Sequence, residues 1–493
     1  MKYDVIIIGA GFGGLSCASL LAKKGKKVLL LEKSLHSGGT SSVFSRKGYL
    51  FPMGPLGFSQ PQRILNFMEE IGISQKPTFK RTHYQLKSPA LECIYSVPFE
   101  ELREKLRHIY PKESRIDDFF DKLRSTMSKI KDLDKWHMDN KKMNSIAQYA
   151  HTPGNEILDS YFSDVTLKNF LGSMGTHPSR MSLLNLSVMW HLMAEIGIWF
   201  PSCGIHGLIQ SIESSFLAFG GELRLGQAVQ EILLKGGKAA GVKTADGDVL
   251  ESNWVVSNAD TKKTFLELID EKNVSSSYLK NIRNAPYSES ELCVYLGLDP
   301  SKVDWKAMKT RHLFYRHKLD LRKRFGLTDF ANREIAITLW SDNLENLAPP
   351  QKKSLVLRVG FPFGHFSDFW VGEKKRKPEY QEYKKHLAKA VVQTAEKILP
   401  GLGSSIEVIE AATPLTYKDW GNRYQGSIAG WAWGVKNKST TGSRLLIQTP
   451  IPNLLMAGIY AASELFLGGV PTAVHTGYTA AKFICRKKGT APF

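Results

Sequence analysis

An α/β fold is what this 493-residue sequence predicts, and three observations predict it. The chain opens on "DVIIIGAGFGGLSCASLLAKKGKKVLLLEK", which reads as strand, tight turn, helix and strand. Apolar residues at helical spacing fill much of the stretch from 76 to 199. Alternating strands such as "ELCVYLGL", "EIAITLW" and "SLVLRVGF" then mark a sheet between 276 and 434.

The opening element is the most informative. Val5 to Ile8 form a continuous apolar run, as a strand buried on both faces should. Gly9, Gly11 and Gly14 fit G-x-G-x-x-G, and Gly13 lies in the same turn. The first glycine permits the turn, the second lets backbone approach a pyrophosphate, and the third lets helix pack on strand. The following helix aims its N–H groups and positive dipole end at the phosphates. Leu15, Ala18, Leu21 and Ala22 give that helix an apolar face, and Gly25 ends it. Val28 to Leu31 make the second strand; Glu32 stands at its end for a ribose diol, with Lys33 beside it. This is a dinucleotide site.

A second glycine pair follows at once, in "LLLEKSLHSGGTSS". Most nicotinamide sites need only the first turn. Gly38, Gly39 and Thr40 resemble the extended fingerprint of FAD proteins in the glutathione-reductase-like and amine-oxidase-like group. There a second close backbone approach serves the longer flavin nucleotide, so the expected cofactor is FAD.

Composition excludes several classes. Lys+Arg 66 against Asp+Glu 47 leaves +19, without zinc-finger spacing or an RNA-binding aromatic signature, so no nucleic acid partner is expected. Five scattered cysteines form no C-x-x-C pair, which predicts neither a metal site nor a disulfide framework and fits a reducing compartment. Met1 leads almost directly into a strand, so no signal peptide is expected. No apolar run reaches the roughly 18 residues of a membrane span; "SLLNLSVMWHLMAEIGIWF" from Ser182 is broken by His191 and Glu195.

In the middle of the chain, "PFEELREKLRHIYP" and "SRIDDFFDKLRSTMSKI" have helix-period apolar positions. "KPEYQEYKKHLAKAVVQTAEKIL" predicts a long amphipathic helix stopped by Pro400 and Gly401. Trp190, Met193, Ile196, Trp199 and Phe200 either line an apolar tunnel or form ordinary core; the sequence leaves both open. The basic runs from Arg316 and from Gly372 are either solvated faces or contacts to anionic lipid, worth about 1 kcal/mol per nearby charge.

Much of the remaining chain resembles the phytoene desaturase, carotenoid isomerase and retinol saturase superfamily of FAD proteins. The resemblance rests on "SGGTSSVFSRKGYLFPMGP", on the stretch from Phe200 to Asp260, on "ATPLTYKDWGNRYQGSIAGWAW", and on "NLLMAGIYAASELFLGGVPTAVHTGYTAA". It implies a discontinuous Rossmann-like FAD-binding domain over 1–75, 200–275 and 435–493. A helical substrate- and membrane-facing part would fill 76–199, and a mixed-sheet substrate domain 276–434. Val229 would place backbone at the adenine, Asn258 and Ala259 would close the domain, and Gly458 would lie near the ribityl chain. Val470 would begin a helix aimed at the flavin, kept thin by Ala473, Gly477, Ala480 and Ala481.

The sequence departs from those relatives in three places. Pro52 stands where many carry Asp, Thr40 where many carry Arg, and Gly458 is not followed by an acid. The implied activity is that of an FAD-dependent oxidoreductase on the C–C or C=C bonds of a long apolar isoprenoid, a carotenoid-type polyene first, by desaturation. Cis–trans isomerisation and retinol-type saturation are the alternatives, and a prenyl-binding protein like the Rab escort proteins is the remote one. Oxygen or a quinone would accept the electrons. An anionic membrane surface is the expected partner, with a cytoplasmic, peripherally attached location. No catalytic residue is assigned: His83, His206 and His475 read as structural or solvent-facing, and Glu464 as a loop residue or a polar contact.

Overall fold

The structure is a computed structural model that describes residues 2–130, 148–173, 179–320, 325–432, 446–461 and 469–486. Glu464 therefore lies outside the described residues, as do 321–324 of the basic run from Arg316.

Among the described residues, five parallel strands organise the nucleotide-binding end. Their spatial order is Leu454–Met456, Val249–Ser257, Tyr3–Ile8, Val28–Leu31 and Glu222–Arg224. Three separated stretches of chain thus contribute to one sheet. Tyr3–Ile8 sits in its middle, pairing Val5 with both Val28 and Trp254, and Val5, Ile6 and Ile7 are wholly buried. A strand covered on both faces has to read as an uninterrupted apolar run. An antiparallel hairpin, Val229–Lys235 and Lys238–Thr244, extends the edge of Val249–Ser257.

Helix Phe12–Lys23 packs against both Gly204–Ala218 and the terminal helix Val470–Arg486. The approaches are as close as backbone allows. A Cβ on Gly14 would lie 1.9 Å from the Gly9 carbonyl oxygen, and one on Gly477 would lie 2.1 Å from that of Gly13. Ala473, Ala480 and Ala481 are buried on the same terminal helix, so its contact face is built from small residues.

Among the described residues the second sheet has seven strands in the order Ile406–Ala412, Ser290–Leu298, Lys353–Phe361, Ile335–Leu339, His312–Tyr315, Tyr84–Lys87 and Glu92–Ile94. Period-2 alternation decides its two faces. Leu292, Val294, Leu296, Leu355, Leu357 and Val359 pack with Leu387 and Val391 of helix Tyr380–Ala395. Cys293, Tyr295 and Val356 point the other way, into the core shared with the nucleotide-binding sheet. Glu291 and Arg358 have that second parity.

The stretch 76–199 departs from its all-helical expectation. Phe99–Ile109, Ile116–Ile130, Gly154–Tyr161, Val165–Ser173 and Leu183–Trp190 are helical, but Tyr84–Lys87 and Glu92–Ile94 complete the second sheet, and Phe79–Thr82 pairs with Ile198–Pro201. Strands of three or four residues are too short to show a period, and only their distant partners define them. The segment from Ser182 is also broken in space: Leu183–Trp190 runs into a π-turn, His191–Ile196, and then into a strand. Among the described residues no helix is long and apolar enough to cross a membrane.

The five tunnel candidates divide. Trp190 is core: fully buried, it donates from Nε1 to the Leu171 carbonyl oxygen at 2.6 Å. Met193 packs on the same helical core, and Phe200 is buried edge-on against Trp340. Ile196 and Trp199 instead line a cavity of about 520 Å³ together with Pro61, Leu65 and Phe79. Arg316, expected on a solvated or lipid-facing surface, is buried, its N–H donating to the Lys87 carbonyl oxygen at 3.0 Å.

Candidate cofactor and active site

A cavity of about 620 Å³ lies between the two sheets, within the roughly 300–1,000 Å³ usual for cofactor sites. Gly9, Gly11, Gly13, Glu32, Lys33, Gly39, Thr40, Val229, Gly458 and Val470 all line it. Gly14 lies behind the turn instead, packed on the Gly9 carbonyl. None of His83, His206 and His475 reaches the cavity wall. His475 is half-buried, and burial, followed by the nearby Arg63, pushes its pKa down to about 3.

The glycines form two stacked turns. Gly9 has a φ of +94°, which other residues adopt only with strain. Glu32 closes the first turn: Ala10 N–H donates to its Oε2 at 2.8 Å and Ser34 N–H to its Oε1 at 2.9 Å. The second pair is fastened to the first by Gly38 N–H, which donates to the Ala10 carbonyl oxygen at 2.8 Å. A Cβ on Gly39 would meet the Gly11 Cα at 3.9 Å. The second glycine turn therefore widens the first into a longer backbone cradle.

Asn258 ties the cradle to the later segments. Its Nδ2 donates to the Gly9 carbonyl oxygen at 3.1 Å, while a Cβ on Gly13 or Gly458 would fall 2.5 or 2.4 Å from its Oδ1. Thr476 Oγ1 accepts from Gly458 N–H at 2.9 Å and so fixes the C-terminal turn to the terminal helix. Both helices whose first residues reach the cavity, Phe12–Lys23 and Val470–Arg486, lack acidic residues in the first turn. Their N-terminal N–H groups and dipoles favour an anion there.

Arg423 answers the departure at Thr40. Its Nη2 donates to Thr40 Oγ1 at 2.6 Å, and its Nη1 bonds the carbonyls of Ser427 and Ile428. A guanidinium thus stands over the second glycine turn although the residue following the pair is threonine. Asp260 holds this loop in place, accepting from Tyr424 N–H at 2.9 Å, from Lys262 N–H at 2.8 Å and from Tyr287 Oη–H. Burial raises its pKa, and these bonds act against that rise. The one cue to Asp260 in the sequence was its place two residues after Asn258.

The cradle fits FAD. Two backbone turns without side chains, an anchored carboxylate, two helix N-termini and cationic Lys33, Lys263 and Arg423 suit a ribose, a diphosphate and a long nucleotide. Burial, and next the charge of Lys263, lower the Lys33 pKa. Among the described residues no group of three potential ligands could hold a metal ion.

Fold and site together define a flavin-nucleotide-binding oxidoreductase. The model of the flavin containing amine oxidoreductase family matches residues 12–485, and this chain belongs to that family. It is 26% identical to the prolycopene isomerase of carrot (Daucus carota) over 94% of this chain and 76% of the carrot protein. It is 23% identical to all-trans-retinol 13,14-reductase of zebrafish (Danio rerio) over 98% of this chain and 86% of that one. A solved putrescine oxidase variant superposes with a TM-score of 0.69 at 16% identity, covering 99% of this chain and 100% of its own, and shares the fold. The protein is an FAD-dependent oxidoreductase, and the relatives named for prolycopene and retinol are those the sequence resemblance implied.

Proposed function

We propose that this protein acts on the conjugated or conjugatable double bonds of a long isoprenoid, most simply a carotenoid-type polyene. The observation that supports this is similarity along nearly the whole chain to enzymes named for prolycopene and all-trans-retinol, over 94% and 98% of its length. Bound FAD supplies a two-electron acceptor or donor. The chain's own residues hold the nucleotide, keep the reacting end between the two sheets away from water, and place Glu291, Arg358 and Tyr417 on its wall.

Desaturation asks least of the side chains. The cavity carboxylates are all engaged: Glu32 by backbone N–H groups, Asp260 by three donors, Glu291 by Tyr417, and Glu373 by Lys33 at 3.7 Å. Among the described residues no free base stands out on the cavity wall. Isomerisation is the second reading, favoured by Thr40 and by the prolycopene isomerase likeness. Anaerobic mixing with candidate polyenes separates the outcomes. Bleaching of oxidised flavin means desaturation, and turnover that needs reduced flavin without consuming it means isomerisation. Consumption of reduced flavin with a shortened chromophore means saturation. A flavin spectrum and polyene unchanged in both redox states would exclude polyene chemistry.

The same reading includes a peripheral seat on an anionic bilayer, with oxygen or a quinone as electron acceptor and a cytoplasmic location. Support comes from the +19 balance and from one surface hairpin, Trp370–Gly372 with Lys375–Arg376. Val371 and Trp420 are each 61% exposed there; Lys374 lies 4.6 Å over the Trp420 ring and Lys418 4.6 Å over the Trp370 ring. Exposed tryptophans beside lysines suit a headgroup layer. Sedimentation with acidic liposomes should recover the protein and added salt should release it; recovery unaffected by lipid charge would remove the membrane from the proposal.

A further inference from the structure

Arg358 and Glu291 line the same cavity, but they come from the second sheet and take no part in the nucleotide cradle. Each is a charge within an otherwise apolar strand, "ELCVYLGL" and "SLVLRVGF", and strand parity turns both away from the Leu292–Leu357 core toward the nucleotide-binding domain. Arg358 Nε lies 3.6 Å from Glu291 Oε1, and Tyr417 Oη–H donates to that same oxygen at 2.7 Å. Arg358 Nη2 donates to the Gly54 carbonyl oxygen, whereas the buried Nε makes no hydrogen bond. Stability does not account for such a pair: desolvating two charges offsets most of their attraction, and apolar residues of similar volume often serve as well or better.

We propose that Arg358 and Glu291 are a specificity pair that binds a hydroxyl group on the isoprenoid substrate. The inference rests on the isoprenoid reading and narrows it to an alcohol. The ion pair is neutral as a whole, so a carboxylate would bring an unbalanced buried charge. A pure hydrocarbon would press against two desolvated charged groups and add a hydrogen bond to neither. A hydroxyl does what both need: it donates to the Glu291 carboxylate and accepts from the Arg358 guanidinium.

The test uses the yellow holoenzyme in detergent micelles, titrated with the C20 alcohol geranylgeraniol and with the C20 hydrocarbon of the same skeleton, and follows the perturbation of flavin absorbance. The alcohol should bind at least about tenfold more tightly, because a site built to hydrogen-bond a hydroxyl rejects the analogue that lacks it. In the double variant Glu291→Leu/Arg358→Met, which leaves no charge unpaired, the ratio should collapse toward one. The wild-type comparison stands even if that variant does not fold. Equal binding of the two ligands by wild type overturns the inference while leaving the isoprenoid reading intact. A preference retained by the double variant also overturns it. No perturbation by either ligand overturns the isoprenoid reading and this inference with it.

Discussion

Gly11→Val is expected to yield a folded, colourless protein. Gly11 precedes the first helix with a φ of −75°, which any residue adopts, and a Cβ there would meet only the Asn258 Nδ2 at 3.1 Å. That atom ends a side chain and can move, so the fold has little to lose. The ligand has more to lose, because a valine side chain stands where the diphosphate must reach the turn and the helix N-terminus. Forfeiting about two hydrogen bonds to a charged group, at roughly 1.5 kcal/mol each, weakens binding about a hundredfold. Far-UV circular dichroism should match the parent and thermal melting should match the flavin-free parent, while the absorbance bands of bound flavin should vanish. Full flavin occupancy in this variant would mean that the first glycine turn is not the phosphate site.

Gly14→Ala is expected to fail differently, by losing the fold. Its Cβ would lie 1.9 Å from a backbone oxygen, that of Gly9, in the turn that directly follows Tyr3–Ile8, the strand at the middle of the sheet. Neither partner can yield without moving the helix off the strand. Overpacking in a core costs about 1–3 kcal/mol even where side chains adjust, and a fixed carbonyl puts this substitution at or above the top of that range. Against a total stability of about 5–15 kcal/mol, poor soluble yield or a much lower melting temperature follows. Gly25→Ala is the useful control. Gly25 has a φ of +73° but nothing within 4 Å of the added atom, so only backbone strain of about 1–2 kcal/mol applies. A Gly14→Ala protein as stable as the Gly25→Ala protein would contradict the packing described for the first helix.

The contrast between these glycines shows what was legible in the sequence. Strand, turn, helix, strand and acid follow one another within about thirty residues, so each signal could be read locally, and the cofactor followed from the second glycine pair. Arg423 was out of reach for the opposite reason. It meets Thr40 across 383 residues, and only the folded chain shows that the guanidinium expected after the glycine pair comes from the other end of the molecule. Tyr84–Lys87 was missed because a strand of four residues has no period of its own; its parallel partner, His312–Tyr315, makes it part of the sheet. Trp190 illustrates a third case. Its apolar character was plain, but whether it lines a tunnel or fills a core depends on neighbours such as Phe170 and Tyr95, edge-on at 5.5 and 6.1 Å. Arg358 did leave a trace, a lone charge inside "SLVLRVGF", which reads as an error in a buried strand until the cavity beside it is seen.

The most direct test of polyene chemistry is expression in bacteria that accumulate phytoene, poly-cis-lycopene or a hydroxylated carotenoid, with the pigments resolved by chromatography. Cells making the parent chain should show a new pigment profile: longer chromophores from phytoene if it desaturates, trans isomers from poly-cis-lycopene if it isomerises, shortened chromophores if it saturates. Gly11→Val, made to the same level, should leave the pigments as they were. Unchanged pigments in all three strains, each containing soluble, yellow parent protein, would contradict polyene chemistry.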